Sequence, residues 1–224
     1  MILIASILLC TMKSPNVEYV SDLRGKIALF VGADTEIGIL SVRELVRRGA
    51  YVIAVARYVS ELNKSTREIS GAVTFISLNQ ESLHEVINFA NKFEQDFAGK
   101  PLDMLIFNSI GTISPYKKTR DGFESQIQTN YLSYFLLAKL FMSKIRQSGT
   151  HVLTIASLAH RFSYDNGIEF NHNEENFHPV KAYGQSELAK LLFSRELAVR
   201  LGGSNATSNA FHPGMISVIN VYLI

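Results

Sequence analysis

The sequence predicts an α/β protein, a doubly wound parallel sheet flanked by helices, and three observations carry that prediction. Short apolar runs alternate along the chain with longer stretches of helical apolar spacing. Uninterrupted runs of that kind suit strands buried on both faces. The first, Ile27 to Val31, passes at once into Gly32 and then into an apolar-periodic helix from about Glu36 to Arg48. Strand, glycine turn and helix in that order open a doubly wound sheet. A later run, Thr150 to Ala156, delivers Ser157 at its carboxyl end, the side on which such sheets place ligands.

Size and composition bound the reading. A chain of 224 residues is one ordinary domain able to bury a full core. Charged residues make up 19% and hydrophobic ones 47%, which suits a soluble α/β protein. A net charge of +2 without a basic run excludes nucleic acid as the expected partner. A lone cysteine, Cys10, excludes an intrachain disulfide framework. No internal repeat or low-complexity segment interrupts the chain.

Residues 1–24 form an apolar segment and lead-in. Ile2 to Cys10 is apolar but far short of the ~20 residues of a spanning helix. No Lys or Arg precedes it, as a signal peptide would require. A bland terminus and the remnant of a longer anchor both stay open. Asn63-Lys64-Ser65 and Asn205-Ala206-Thr207 match a glycosylation sequon, which matters only in the secretory lumen. The expected location is cytoplasmic, with the endoplasmic reticulum membrane open beside it.

The domain proper spans 25–214. The amino end of its first helix joins unpaired amides to a helix dipole and suits a pyrophosphate. Gly32, Asp34, Thr35, Ile37 and Gly38 are therefore candidate cofactor-binding residues. Gly49 stops the helix. Tyr51 to Ala56 is the second strand, with Arg57 just past its end. An acidic side chain at that place accepts from a ribose 2′-hydroxyl, whereas Arg suits a 2′-phosphate, so Arg57 favours NADP over NAD. Ser60 to Ser70 reads as a polar helix and Ala72 to Ser77 as the third strand. Asn79 follows at a loop position within reach of an adenine edge. Ser82 to Phe97 has helical apolar spacing, with Phe93 and Phe97 as core.

Leu102 to Phe107 is the fourth strand, followed by Asn108. Phe123 to Gln147 reads as one long helix that carries Asn130, a residue disfavoured in helix interiors. Asp165 to His178 reads as a long polar surface loop. Its His172 and His178 match no zinc spacing and are expected to be solvated, so no metal is expected. Ala182 to Leu201 reads as a strongly amphipathic helix, Thr207 to Phe211 as the sixth strand. His212-Pro213-Gly214 ends that strand, and Pro213 and Gly214 close the list of candidate cofactor contacts.

These pieces together resemble the short-chain dehydrogenase/reductase family, in particular its retinol dehydrogenase and WW-domain oxidoreductase group. The resemblance runs from about Gly25 to Gly214. It rests on Gly32 with Ile37-Gly38, Ala56-Arg57, Asn108, Thr119 to Glu124, Asn130, Ser157 with His160-Arg161-Phe162, Tyr183 with Ser186, Leu192 to Leu197, and His212-Pro213-Gly214. It implies a Rossmann-type fold and hydride transfer between a nicotinamide and an alcohol or carbonyl carbon of a small lipophilic substrate. In the family a Tyr is the general acid/base, a Ser orients the substrate oxygen, a Lys four residues after the Tyr lowers its pKa, and a helix-borne Asn holds a water in the proton path. Tyr183, Ser157 and Asn130 fall on three of those positions. The family's dimers imply a homodimer, and its lipophilic substrates keep membrane association open.

The departures are chemical. Glu187 stands at the catalytic Lys position, on the helix face of Tyr183, and its charge opposes phenolate formation. Lys190, three residues on, is placed to pair with Glu187. Glu36 replaces the glycine that lets the backbone approach a pyrophosphate. Asn79 replaces the adenine-contacting Asp, Val31 the threonine before the first glycine, and Phe107-Asn108-Ser109-Ile110 an Asn-Asn-Ala-Gly run in which Ile110 crowds the nicotinamide ribose. The family continues past Pro-Gly with a substrate-covering loop, a helix and a seventh strand, whereas residues 215–224 read as a truncated tail. Two readings follow: an NADP(H)-dependent oxidoreductase of impaired activity, and a catalytically inactive binding or interaction protein.

Overall fold

Three runs, Ile27–Val31, Tyr51–Ala56 and Met104–Phe107, bury every side chain after their first residue. Strands of that kind belong in the middle of a sheet covered on both faces. In the computed structural model, which describes residues 22–59, 72–108 and 113–214, they are β1, β2 and β4 of a six-stranded parallel sheet. Val73–Ser77 (β3), His151–Ile155 (β5) and Thr207–Phe211 (β6) complete it in the order β3-β2-β1-β4-β5-β6. Phe30 lies beside Ala54 of β2 and Ile106 of β4. The strand order reverses at the β1–β4 pair, which opens a crevice at the carboxyl ends of the strands.

The pleat sends alternate side chains to opposite layers. Ala28 and Phe30 join Val42 of helix α1 (Glu36–Arg47) in one core. Leu29, Ile53, Leu105 and Phe107 join the other, with Phe93 of α2 (Leu83–Asp96) and Phe193 of the long carboxyl-terminal helix. Phe93 stacks on Phe97 at 4.8 Å and packs against Phe141 at 5.0 Å, so both expected core aromatics are core.

The expected helix over 123–147 is not uniform. Glu124 caps its start by accepting from the amides of Gln126 and Ile127. A short α3 (Ser125–Ile127) widens into a π segment, Gln128–Leu132, before α4 (Ser133–Leu140), and α5 (Met142–Ser148) follows a break at the fully buried Phe141. Within the wide turn the Thr129 carbonyl accepts from the Gln80 amide at 3.2 Å and the Ser133 hydroxyl at 2.9 Å. Those side chains satisfy the backbone group that an α-turn would have used.

The last helix among the described residues, α6 (Pro179–Arg200), starts earlier than expected. Proline at its first position needs no amide partner, and the His178 ring caps the Lys181 amide. Its buried face is not the apolar stripe the spacing suggested, because Gln185, Ser186, Glu187, Lys190 and Ser194 all lie inside. His172 is a further correction. It is 4% exposed, stacks on Tyr164 at 4.5 Å and lies 3.0 Å from the Gln185 amide. The polar composition around it concealed an aromatic pocket of Tyr164, His172 and Phe177. The expected helix at 60–70, Ile110, the apolar first residues and the tail after Gly214 lie outside the described residues. Among the described residues no helix is long and apolar enough to cross a membrane.

One contact sets how α1 meets the sheet. A Cβ on Gly38 would stand 2.6 Å from the Gly32 carbonyl oxygen and 2.7 Å from that of Ala33. Neither backbone atom can yield without moving β1 or α1. Gly38→Ala should lower unfolding free energy by about 1–3 kcal/mol, as an overpacked core does, read from the midpoint of a urea titration at unchanged slope.

Candidate functional site

The glycine turn after β1 is held by side chains from three elements. Gly32 takes φ +89°, a left-handed backbone suited to glycine. Thr35 caps α1, its hydroxyl oxygen accepting from the Gly38 amide at 3.0 Å. Asn108, buried at the end of β4, donates to the Gly32 carbonyl at 2.7 Å and to the Thr35 hydroxyl at 2.6 Å. The Asn108 carbonyl accepts from the Tyr134 phenol at 2.7 Å. Asp34 accepts from the backbone amides of Arg57 and Tyr58, which draws the end of β2 against the turn. Its second oxygen is buried without a partner among the described residues.

A cleft of about 320 Å³ opens above the carboxyl ends of the strands. Thr35, Glu36 and Ile37 of the first α1 turn line it, with Asn108, Ser157, Tyr183, Glu187 and the Pro213-Gly214 turn. Most of the residues that sequence reasoning assigned to chemistry thus meet in one place. Ser157 follows β5 and caps a 3-10 segment, Leu158–Phe162, by accepting from the Ala159 amide. Helix α6 lies directly on that segment because Gly184 carries no side chain. A Cβ there would stand 2.6 Å from the Phe162 backbone and 2.7 Å from the Ala159 carbonyl oxygen. This approach brings the Tyr183 phenol to the Ser157 hydroxyl. Gly184 was not singled out from sequence. Its signal was a glycine tolerated deep inside a helical run, which usually marks a close packing contact.

Asn130 stands apart from the cleft lining. From the π segment it donates to the Ser186 hydroxyl at 3.0 Å, and Ser186 donates to the Tyr183 carbonyl at 2.8 Å. It therefore reaches the Tyr183 turn through Ser186. Arg57 and Asn79 lie at the other end of the crevice. Arg57 pairs with Glu81 at 3.0 Å, and Asn79 uses its side-chain oxygen on the Glu81 amide.

The charges beside Tyr183 are inverted relative to a phenol-activating site. Glu187 is fully buried, with a carboxylate oxygen 2.8 Å from the Lys190 ammonium. Lys190 is also buried and donates to the Ile155 carbonyl at 2.9 Å, so its charge is held at the end of β5. The contact with Glu187 is an ion pair without hydrogen-bond geometry. Burial pushes the Tyr183 phenol up to about 12, the Glu187 carboxylate adds to the rise, and the Ser157 hydroxyl opposes it. Burial lowers the Lys190 pKa, with Glu187 pulling the other way. Glu36 suits the positive end of α1, but it puts an acid where an anionic ligand would meet the amides.

Residues 26–221 match the family profile described as short chain dehydrogenase. The chain is 36% identical over 200 residues to retinol dehydrogenase 12 of Mus musculus, covering 86% of this chain and 62% of that protein. It is 33% identical over 217 residues to short-chain dehydrogenase TIC 32 B, chloroplastic, of Brassica napus, covering 90% and 67%. Among solved structures, an uncharacterized protein from Mycobacterium Paratuberculosis superposes with a TM-score of 0.75 at 34% identity, over 86% of this chain and 69% of that one. The Pseudomonas aeruginosa RhlG/NADP active-site complex superposes with a TM-score of 0.68 at 26% identity, over 88% and 74%. The chain spans 62% and 58% of the length of two retinol dehydrogenases that it matches.

The raised phenol has a signature in stability. Tyr183 ionises at about 12 in the fold against a reference of 10.0, so the fold holds this proton more tightly than the unfolded chain. The stability it contributes is complete below the unfolded value and is lost as pH rises through the folded one. Urea unfolding across that alkaline window should show the wild type losing stability more steeply than Tyr183→Phe.

Proposed function

The chain belongs to the short-chain dehydrogenase family, and on that premise we propose an NADP(H)-dependent oxidoreductase that interconverts an alcohol and a carbonyl on a lipophilic, retinoid- or steroid-like small molecule, its rate held down by Glu187. One observation carries the reading: the Tyr183 phenol and the Ser157 hydroxyl meet at the mouth of the crevice, with a buried carboxylate where the family has a cation.

The residues present fit a dinucleotide across most of its length. The Gly32 turn, the Thr35-capped start of α1 and Asn108 frame the pyrophosphate and the inner ribose, and Arg57 and Asn79 stand at the adenosine end. The local misfits are Glu36, an acid at the pyrophosphate end, and Glu187, which offers no cation to the nicotinamide ribose. When bound, the cofactor supplies or accepts the hydride at the substrate carbon. Ser157 donates to the substrate oxygen and orients it. Tyr183 passes its proton to that oxygen in reduction and takes one back in oxidation. With the phenol at about 12, roughly 10⁻⁵ of it is phenolate at neutral pH. Oxidation is therefore slowed by the scarcity of its base. The named NADP complex and the retinol dehydrogenase relatives support the cofactor and substrate class.

A groove of about 570 Å³ between α4 and α6, walled by Tyr131, Phe135, Leu192 and Phe193, supports a homodimer. A cytoplasmic location with membrane association goes with the retinoid-like substrate class. The second reading, a catalytically inactive binding protein, is favoured by the Glu187–Lys190 pair, which neutralises the one buried ammonium lining the cleft among the described residues.

Glu187→Lys alone would set two buried ammonium groups side by side, so the informative variant pairs it with Lys190→Asn, which keeps a donor for Ile155. That double variant should raise NADPH-dependent reduction of a retinoid aldehyde by about 100-fold, the scale of general acid–base catalysis. Wild-type turnover equal to the double variant would remove the impairment. NADPH binding with no turnover in either protein would leave the binding-protein reading.

A further inference from the structure

The adenosine end of the crevice holds a charge cluster that the proton-transfer chemistry does not use. Glu81, in the turn after β3, grips two cations from different elements. One oxygen lies 3.0 Å from the Arg57 guanidinium and the other 2.6 Å from the Lys117 ammonium. Arg57 comes from the end of β2 and Lys117 from the segment that follows β4, so the carboxylate gathers both cations over the strand ends. The Arg57 backbone is tied to the glycine turn through Asp34 at 3.1 Å, which fixes where its side chain starts. Asn79 orients Glu81 by accepting from its amide at 3.1 Å and touches Arg57 at 3.5 Å.

The cluster has the composition of an anion site with its own anion already in place. Two cations share one carboxylate, which leaves one net positive charge, and the Arg57 and Lys117 side chains are 35% and 58% accessible. Both cations hold the Glu81 carboxyl below the ordinary range, Lys117 more than Arg57. It is therefore a charged competitor at neutral pH. A phosphate brought between Arg57 and Lys117 would offer more charge and more acceptor oxygens than Glu81 does.

We propose that Lys117 is the second cation of a ribose 2′-phosphate site with Arg57, and that Glu81 is the resident carboxylate this phosphate displaces, so that Glu81 sets the preference between phosphorylated and unphosphorylated dinucleotide. This rests on the dinucleotide reading of the crevice and adds its selectivity device. Glu81 is a specificity residue acting through competition. It lowers affinity for the phosphorylated form and leaves the unphosphorylated form untouched, because a 2′-hydroxyl cannot draw Arg57 off a carboxylate.

The test uses the full chain and fragments that reach only this end: adenosine 2′,5′-bisphosphate against adenosine 5′-monophosphate by calorimetry. NADPH against NADH follows by the emission of the reduced nicotinamide, in a protein without tryptophan. Glu81→Gln should tighten the bisphosphate and NADPH by about fivefold, the scale of one exposed ion pair, and leave the other two within about twofold. Lys117→Met should weaken the bisphosphate and NADPH by a similar factor and spare the others. Equal shifts for all ligands, or none, would overturn the proposal. Absence of binding by all four would overturn it together with the dinucleotide reading. Selective shifts in the bisphosphate without any carbonyl reduction would uphold this site and remove the oxidoreductase reading. Turnover with unselective variants would do the reverse.

Discussion

The side chain of Asn108 is the fastening on which the crevice depends. Its amide spans from β4 to the carbonyl of Gly32 and the hydroxyl of Thr35, while the backbone carbonyl of the same residue accepts from the Tyr134 phenol. Four elements are thereby joined at the point where the strand order reverses. Buried donors that lose their partners are costly, so the joint is fixed by the need to satisfy every group in it. The close contact of Gly38 with the same turn then leaves α1 one way to sit.

On this frame, acids recur where an anionic ligand would lie, and each is answered differently. Asp34 is taken up by backbone amides at the end of β2. Glu81 is taken up by Arg57 and Lys117, and Glu187 by Lys190. Glu36 faces the positive end of α1. The scaffold tolerates these charges because each has a partner or a favourable dipole. The carboxylates of Glu81 and Glu187 are each paired with cations, which reduces the positive charge that the crevice presents.

The sheet was legible because parallel strands buried on both faces must be apolar throughout. Ile27–Val31 and Tyr51–Ala56 stand where the apolar runs put them. The proximity of Ser157 and Tyr183 was legible from the order of motifs, and the Glu187–Lys190 pair from helical spacing. What escaped was interior polarity. His172 was expected to be solvated, and nothing local singled out Gln80, Gln128 or Gln185, yet all four are buried. A polar side chain goes inside when a distant backbone group needs a partner, and local composition holds no record of that need. Arg57 was read as a candidate phosphate contact at the end of β2, whereas its engagement with Glu81 depends on a contact across 24 residues of chain.

The wide turn at Gln128–Leu132 carries a consequence for how this chain can vary in length. A π turn holds one residue more than an α turn, and a single residue rotates everything beyond it by about 100° around the axis. Here the surplus is absorbed on the spot, by Gln80 and Ser133 bonding the Thr129 carbonyl. The two halves of this rod are thus phased independently, Asn130 toward Ser186 and the later turns toward the sheet. Loss of one residue in this stretch would pull both halves into a common phase, and one of those two alignments would have to be surrendered.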